Sequence, residues 1–227
     1  DPTARRGRFI TIEGPEGAGK TTQAACLVAL LRERGVAVLS TREPGGTTLG
    51  ERIRELLLAP SAAPVDPLAD ALLFNAARRQ LVGAVIEPAL AAGTTVVCAR
   101  FADSTRAYQG HGGGLSLDVL ERLETIATDG LRPDLTILLD LPVEIGLARK
   151  APDDQTRFET GFDVAFHRRV RDGFRAMAAA EPERFVVVDA TEPEDAVAAA
   201  IGAAVERLLE QATPAGEPRR PLVRINP

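Results

Sequence analysis

The chain has few cysteines, and this shortage excludes two classes of protein. Its 227 residues contain only two cysteines, Cys26 in a segment of helical period and Cys98 at the end of an apolar run. Two such cysteines form neither a disulfide framework nor a metal cluster. We therefore interpret both as core thiols and predict a reducing, cytoplasmic setting.

Long apolar runs and an excess of positive charge are also missing. No apolar run approaches membrane-spanning length, and the first residues, DPTARRGR, lack the apolar stretch of a secretory signal. The formal net charge is −5 and the pI is about 5.2, which argues against binding to long nucleic acid. We predict no membrane and no nucleic-acid polymer as partner, while a local basic pocket for one small anion stays open.

What the chain does contain is the composition of a globular protein, with 45% hydrophobic and 26% charged residues. Five apolar runs show little alternation, which is typical of parallel strands covered on both faces. These runs are 9–13, 36–40, 95–99, 135–140 and 185–189. Segments of helical period separate them, at about 20–34, 47–58, 67–91, 115–129, 142–150, 160–180 and 193–211. The alternation predicts right-handed crossovers and a doubly wound α/β fold.

A glycine-rich stretch joins the first predicted strand to the first predicted helix. Residues 14–21 read GPEGAGKT, which matches the G-x-x-x-x-G-K-[ST] phosphate loop in full and in the required context. Backbone N–H groups of such a loop surround phosphate oxygens at a helix N-terminus. Lys20 is expected to reach the β and γ phosphates of a nucleoside triphosphate, and Thr21 to ligate Mg²⁺. The predicted triphosphate-binding set, which is the ATP-binding set under the resemblance described below, is Gly14, Pro15, Glu16, Gly17, Ala18, Gly19, Lys20, Thr21 and Thr22.

Two further features admit more than one interpretation. Glu16 places an acid inside an anion-binding loop, so it faces either a sugar hydroxyl of an acceptor or the solvent. Asp66 and Pro67 predict the start of a helix on which Phe74 and Arg78, four residues apart, share one face. This pair either stacks on a flat base and bonds its carbonyl edge, or is a core phenylalanine beside a surface arginine.

Five stretches together resemble bacterial thymidylate kinase, a nucleoside monophosphate kinase with a P-loop that phosphorylates dTMP with ATP. They are FITIEGPEGAGKTTQ, TREPGGT, LLFNAARR, RFADSTRAYQG and LRPDLTILLDLP, and the likeness runs from about residue 8 to residue 210. The resemblance implies a P-loop NTPase fold with a five-stranded parallel sheet, helices on both faces and a homodimer. It also implies a single kinase domain, placed at 1–212, with a short lid at about 149–158. Residues 213–227 are rich in proline and arginine and have no helical period, so we interpret them as a C-terminal tail.

The resemblance assigns roles to single residues. Phe74 corresponds to the residue that stacks on thymine, Arg78 to the one that bonds a base carbonyl, and Tyr108 to the ring that favours deoxyribose. Arg54 and Arg100 correspond to arginines that hold the acceptor phosphate, which suits the guanidinium fork. The full acceptor set is Glu16, Glu43, Pro44, Arg54, Phe74, Arg78, Arg100, Ser104, Thr105, Tyr108 and Gln109. The implied catalytic cations are Lys20, Arg100, Arg149 and Arg157, with Mg²⁺ at Thr21.

The chain departs from the family pattern at two places that serve the same reaction step. Its third predicted strand ends in Ala99, where these kinases carry an aspartate that orders Mg²⁺. Asp103 and Asp140 do not stand at the expected position, and the lid is poor in arginine, with an acidic pair at 153–154. The alternative hypothesis is therefore a nucleotide-binding protein with impaired or absent kinase activity. A kinase with another base preference is a second alternative.

Overall fold

Five parallel strands form the central sheet of this computed structural model, which describes residues 6–59, 65–150 and 156–210. The strands lie in the order β2-β3-β1-β4-β5, and each neighbouring pair is parallel. Their bounds are β1 Phe9–Glu13, β2 Val38–Arg42, β3 Thr95–Ala99, β4 Leu135–Asp140 and β5 Phe185–Asp189. The sheet confirms the predicted α/β fold. The predicted tail and the acidic pair at 153–154 lie outside the described residues.

Helices connect the strands and cover the sheet. They are α1 Lys20–Glu33, α2 Thr48–Leu58, α3 Pro67–Leu81, α4 Glu87–Ala91, α5 Ala102–Thr105, α6 Leu117–Thr128, α7 Val143–Ala148, α8 Arg157–Thr160, α9 Val164–Ala180 and α10 Glu194–Glu210. Two π-helical segments, Val82–Ile86 and Arg106–Gly112, extend α3 and α5. Among the described residues, no helix is both long enough and apolar enough to cross a membrane.

The side chains of the central strand β1 are buried on both faces of the sheet, to which they point in turn. On one face Ile10 and Ile12 of β1 pack with Leu27 of α1. On the other face Phe9 packs with Ile86 of the first π-helical segment. Burial on both faces is the physical reason for the unbroken apolar runs of β1, β3 and β4, while the edge strands β2 and β5 are partly exposed.

The predicted start of the second strand is wrong by two residues. Val36 donates its backbone N–H to Leu31 and so closes the C-terminal end of α1 instead of entering the sheet. β2 begins at Val38 and runs on to Arg42, because the backbone keeps pairing with β3 there. The strand therefore delivers the segment after Arg42 directly to the carboxyl edge of the sheet.

Two predicted helices differ in the structure. The helix predicted at 160–180 begins only at Val164, as α9, where Asp163 accepts a hydrogen bond from the Phe166 N–H at 2.7 Å; the short α8 ends before it, at Thr160. The helix predicted at 67–91 begins as expected, with Asp66 accepting from two backbone N–H groups and Pro67 in the first turn. It then passes through the first π-helical segment into α4.

Candidate active site

A cavity of about 550 Å³ opens where the carboxyl ends of β1, β2 and β3 meet. This is the edge at which open α/β sheets bind ligands, and the volume lies in the range of small-molecule sites. The phosphate loop from Glu16 to Thr22 lines one part of it. Every member of the predicted acceptor set lines the rest. The fold thus brings two separately predicted groups of residues into one space.

The phosphate loop depends on glycines where the backbone turns or approaches another segment closely. Gly14 has φ 145°, and a Cβ there would lie 2.4 Å from the carbonyl oxygen of Leu139. Gly17 has φ 69°, and a Cβ there would lie 1.9 Å from the carbonyl oxygen of Gly146 in α7. Side chains at these positions would therefore push the loop away from β4 and α7.

Lys20 is buried at the start of α1, beside the loop that it is predicted to serve. Its Nζ donates to the backbone oxygens of Gly14 at 2.9 Å and Pro15 at 2.6 Å. Burial, helped by the charge of Arg100, lowers the pKa of Lys20 to about 7. A bound phosphate would favour the charged ammonium, because an opposite charge stabilises it. The first turn of α1 contains no acidic residue, which leaves its N-terminus favourable for an anion.

Glu16, Arg100 and Tyr108 form an ion-paired cluster between the loop and the acceptor residues. Arg100 donates to Glu16 Oε1 at 2.6 Å, and the Tyr108 hydroxyl donates to the same oxygen at 2.7 Å. Burial opposes ionisation, but the charges of Arg100 and Lys20 hold the pKa of Glu16 well below its usual range. Glu16 is only 9% exposed, so the alternative of a solvated loop carboxylate is wrong. Its contact with an acceptor sugar stays a prediction.

Arg100 has a backbone conformation that the sequence did not reveal. Its φ is 67°, in the left-handed region that residues other than glycine rarely adopt. Its N–H still donates to Ile12, and the neighbouring Phe101 N–H donates to Glu13 Oε1 at 2.7 Å. Such strain persists where the surroundings fix the chain, and it is found at functional sites. Here it accompanies a side chain that lines the cavity.

Glu13 is a buried acid that holds this segment in place. It accepts hydrogen bonds from the Phe101 N–H and, at 2.6 Å, from the Ser104 hydroxyl. Burial, reinforced by the nearby Asp103, raises the pKa of Glu13 to about 7. Between the ordinary pKa of 4.5 and that value, the folded chain keeps a proton that the unfolded chain releases. The contribution of Glu13 to stability is therefore full below pH 4.5 and is lost as the pH rises through about 7.

The variant Glu13→Gln tests this pH dependence. The amide does not titrate, so from pH 5 to pH 8 the free energy of unfolding of the variant should rise by about 2 kcal/mol relative to wild type. Urea unfolding at both pH values measures this difference. The exposed Glu87 provides the matched control, since Glu87→Gln should follow wild type. If the free energy of unfolding changes equally between pH 5 and pH 8 in Glu13→Gln and in wild type, the raised pKa of Glu13 is contradicted.

Arg78 is the most enclosed residue of the predicted base pocket, with 1% of its surface exposed. Its guanidinium donates to Glu43 Oε2, to Asn75 Oδ1 and to the Thr105 hydroxyl, at 2.7 to 2.9 Å. The alternative of a surface arginine is therefore wrong. Thr105 and Glu43 hold the arginine in a fixed orientation at the cavity, which the sequence pattern alone did not indicate.

Several residues that the sequence analysis missed also line or support the cavity. The Phe158 ring lines it, 5.5 Å from the Tyr108 ring and 6.4 Å from the Phe74 ring. Asp70 is buried on α3 and accepts a hydrogen bond from Gln109. A signal for Asp70 was present, because it precedes Phe74 by four residues and so lies on the same helix face. Phe158 had no comparable signal, since the position of its ring depends on how the chain folds back onto the cavity after the lid segment.

The two predicted lid arginines lie in different surroundings. Arg149 lines the cavity and donates to the backbone oxygen of Ala190 at 2.9 Å. Arg157 does not line the cavity and is buried instead. Its guanidinium pairs with Asp70 at 2.5 Å and donates to the backbone oxygen of Leu57. The buried acid on α3 thus holds the arginine that the resemblance placed among the catalytic cations.

Ala99 ends β3 beside the phosphate loop. In the sheet it is in register with Ile12 of β1 and Arg42 of β2. It packs in the same core cluster as Ile12 and Ala24 of α1, so its methyl group lies on the face of the sheet that α1 covers. This is the position at which the family resemblance implied an aspartate, and the alanine side chain has no oxygen to accept a hydrogen bond or ligate an ion.

The two carboxylates considered as replacements for the missing acid are paired with arginines. Asp103 accepts two hydrogen bonds from Arg184, at 2.6 and 2.9 Å. Asp140 accepts two from Arg171, at 2.7 and 2.9 Å. Within the described ranges, no three histidine, cysteine, aspartate or glutamate side chains come together as a metal site. Neither aspartate therefore takes the place that Ala99 leaves.

The chain is similar to known proteins over most of its length, far beyond the phosphate loop. The family model for thymidylate kinase matches residues 12–201 of the chain. A thymidylate kinase of Deinococcus radiodurans is 56% identical over 200 residues, covering 88% of this chain and 97% of that protein. One of Synechococcus sp. is 53% identical over 210 residues, covering 92% and 100%. A crystal structure of thymidylate kinase from Ehrlichia chaffeensis is similar with a TM-score of 0.70 at 35% identity, over 90% of this chain and 99% of that one.

Proposed function

The chain belongs to the thymidylate kinase family and phosphorylates dTMP to dTDP with ATP, and we propose that the cavity described above binds both substrates. The observation that carries this proposal is the continuity of the cavity. It joins the phosphate loop at Lys20 to the enclosed pocket at Arg78, with Arg100 between them. One end suits a triphosphate and the other a flat base. The 5′-phosphate of a nucleotide whose base lies at that end would therefore lie near Arg100.

The base end of the cavity supports dTMP as the acceptor. Phe74 offers an aromatic face, and Arg78 is fixed with its donors at the cavity, where they suit a base carbonyl. The centre of the Tyr108 ring lies 5.5 Å from that of the Phe158 ring and 5.1 Å from the Arg100 guanidinium carbon. A ring fixed by these contacts at the cavity would crowd a 2′-hydroxyl, which favours deoxyribose.

In this proposal, Arg54 and Arg100 hold the acceptor phosphate. Arg54 is fixed by donating to the backbone oxygen of Pro44 at 2.9 Å. Arg100 pairs with Glu16 at 2.6 Å, and its guanidinium lines the cavity where the acceptor phosphate would bind. The acceptor oxygen is already an anion, so no general base is required. Lys20 and Arg149 would neutralise charge on the transferring phosphoryl group.

We also propose that ATP brings Mg²⁺ to Thr21. The Thr21 side chain is exposed at the start of α1, so its hydroxyl can ligate an ion carried by the phosphates. Mg²⁺ keeps several waters and accepts few protein ligands besides substrate phosphates, which fits a site with a single hydroxyl. When bound, the ion supplies charge neutralisation of the phosphates.

We further propose a cytoplasmic homodimer. The neighbouring helices α2 and α3 carry leucines with large exposed fractions, 71% for Leu56 and 49% for Leu72. Exposed apolar side chains on adjacent helices are typical of surfaces that bury against a partner. A second copy of the chain is the partner that fits the family resemblance.

The function is tested by coupled measurement of ADP release with dTMP, dUMP, UMP, dGMP and AMP as acceptors. The highest kcat/KM is expected with dTMP, because the stacking ring and fixed arginine suit thymine. The kinase assignment fails if no acceptor raises ADP release above the ATPase background while dTMP still binds. Faster release with dGMP or AMP than with dTMP would overturn the assignment of the base pocket.

A further inference from the structure

Three buried side chains form a chain of contacts from the helix after the lid to the base pocket. Gln109 Nε2 donates to Asp70 Oδ2 at 3.1 Å, and Arg157 Nη2 donates to Asp70 Oδ1 at 2.5 Å. The exposed fractions are 5% for Gln109, 5% for Asp70 and 8% for Arg157. Gln109 lines the cavity, while Asp70 lies behind it on α3.

The chemistry of the carboxylate decides which way the Gln109 amide points. An amide has nearly the same shape in both orientations, but its NH₂ end donates and its oxygen accepts. A carboxylate only accepts hydrogen bonds, so the NH₂ end of Gln109 must face Asp70. The amide oxygen then points away from Asp70, and no residue in the described part of the chain donates a side-chain hydrogen bond to it. This oxygen is available to accept a hydrogen bond from a ligand.

Arg157 holds Asp70 in the position that this orientation requires. It neutralises the buried carboxylate and is itself fixed on other sides, by the backbone oxygen of Leu57 and by the Phe158 ring 4.7 Å from its guanidinium carbon. A buried carboxylate without such a partner would be unfavourable. Arg157 does not line the cavity itself, and its contact with Asp70 links it to Gln109 of the base pocket.

We propose that Asp70 is a positioning residue that fixes the Gln109 amide so that the pocket selects a pyrimidine with a hydrogen on N3. Thymine carries an N3–H that can donate to the amide oxygen. A cytosine ring carries an N3 lone pair, which would leave two acceptors facing each other in a buried site. Sites built around such a bond reject the mismatched ring strongly. This inference rests on the proposed binding of dTMP in this cavity.

The test compares dTMP with 5-methyl-dCMP, which has the same methyl group and sugar but a cytosine hydrogen-bonding edge. In Asp70→Asn the new amide can present either a donor or an acceptor, so Gln109 can turn. The ratio of kcat/KM for dTMP to that for 5-methyl-dCMP should fall at least tenfold. The change should appear mainly in KM for dTMP, with kcat little altered. Asp66→Asn, the same substitution at the exposed start of the same helix, should keep the wild-type ratio.

A double-mutant comparison separates positioning from a general loss of structure. If Asp70 acts through Gln109, Asp70→Asn should lower the ratio no further in a Gln109→Ala background. An additional fall there, or an unchanged ratio in Asp70→Asn alone, would overturn the proposal. If Asp70→Asn does not fold, Asp70→Ser replaces it, since a hydroxyl also donates as well as accepts. Failure of the proposed function would look different, because wild type itself would then not phosphorylate dTMP.

Discussion

Replacing Ala99 with aspartate is expected to raise kcat for dTMP phosphorylation by about 10²-fold, the size of effect of one well-placed charged or polar group at a transition state. The Ala99 methyl group lies beside the phosphate loop, on the α1 face of the sheet. A carboxylate there could accept hydrogen bonds from water on Mg²⁺, and Asp103 and Asp140 are held elsewhere by arginines. Steady-state kinetics over a range of Mg²⁺ concentrations measures the gain, and KM for dTMP should change little.

Ala99→Asn is the matched control for this prediction. Its side chain has nearly the same shape as aspartate but no charge, so it should give only a small part of the gain. Equal gains in both variants would show that side-chain volume matters and charge does not. An unchanged kcat in Ala99→Asp would mean that the missing carboxylate does not limit this chain.

Replacing Arg100 with methionine is expected to lower kcat/KM for dTMP by about 10³-fold. The loss has two sources, because the acceptor phosphate loses a bidentate partner and Glu16 is left as a buried carboxylate without its closest cation. Arg100→Lys keeps the charge without the planar fork, so it should fall between methionine and wild type. Steady-state kinetics with dTMP as the varied substrate measures these losses.

Arg106→Met provides the control for Arg100. Arg106 lies six residues after Arg100 and does not line the cavity. Its guanidinium pairs with Glu124 at 2.8 Å. Its replacement also removes a partly buried ion pair, so it should lower the melting temperature with kcat/KM near the wild-type value. A similar loss of kcat/KM in both variants would mean that Arg100 acts through the fold, without a specific contact to the acceptor.

The phosphate loop and the five strands could be predicted from the sequence because their causes are local. The loop requires glycine at Gly14, a lysine and a hydroxyl at fixed spacing, and all of these are contiguous. Strands buried on both faces leave unbroken apolar runs, whatever their order in the sheet. The boundary of β2 was missed, because the hydrogen bond from Val36 back to α1 depends on how the helix ends.

Contacts between distant segments could not be predicted from the sequence. Arg157 is 87 positions from Asp70, and no pattern in the chain indicates that a lid arginine meets a buried acid on α3. The left-handed backbone of Arg100 also has no sequence signal, since arginine there is unfavourable unless the surrounding hydrogen bonds hold it.

The sequence by itself determined the kind of chemistry, because the phosphate loop, the arginines and the alanine at position 99 are chemical identities that folding does not change. The tertiary structure alone decided how those groups are used. It sets Glu16 against Arg100, encloses Arg78 among Glu43, Asn75 and Thr105, and turns the Gln109 amide toward Asp70. The physical reason is that hydrogen bonds and ion pairs act over a few ångströms, and only the packed fold brings residues so far apart in the chain to that distance.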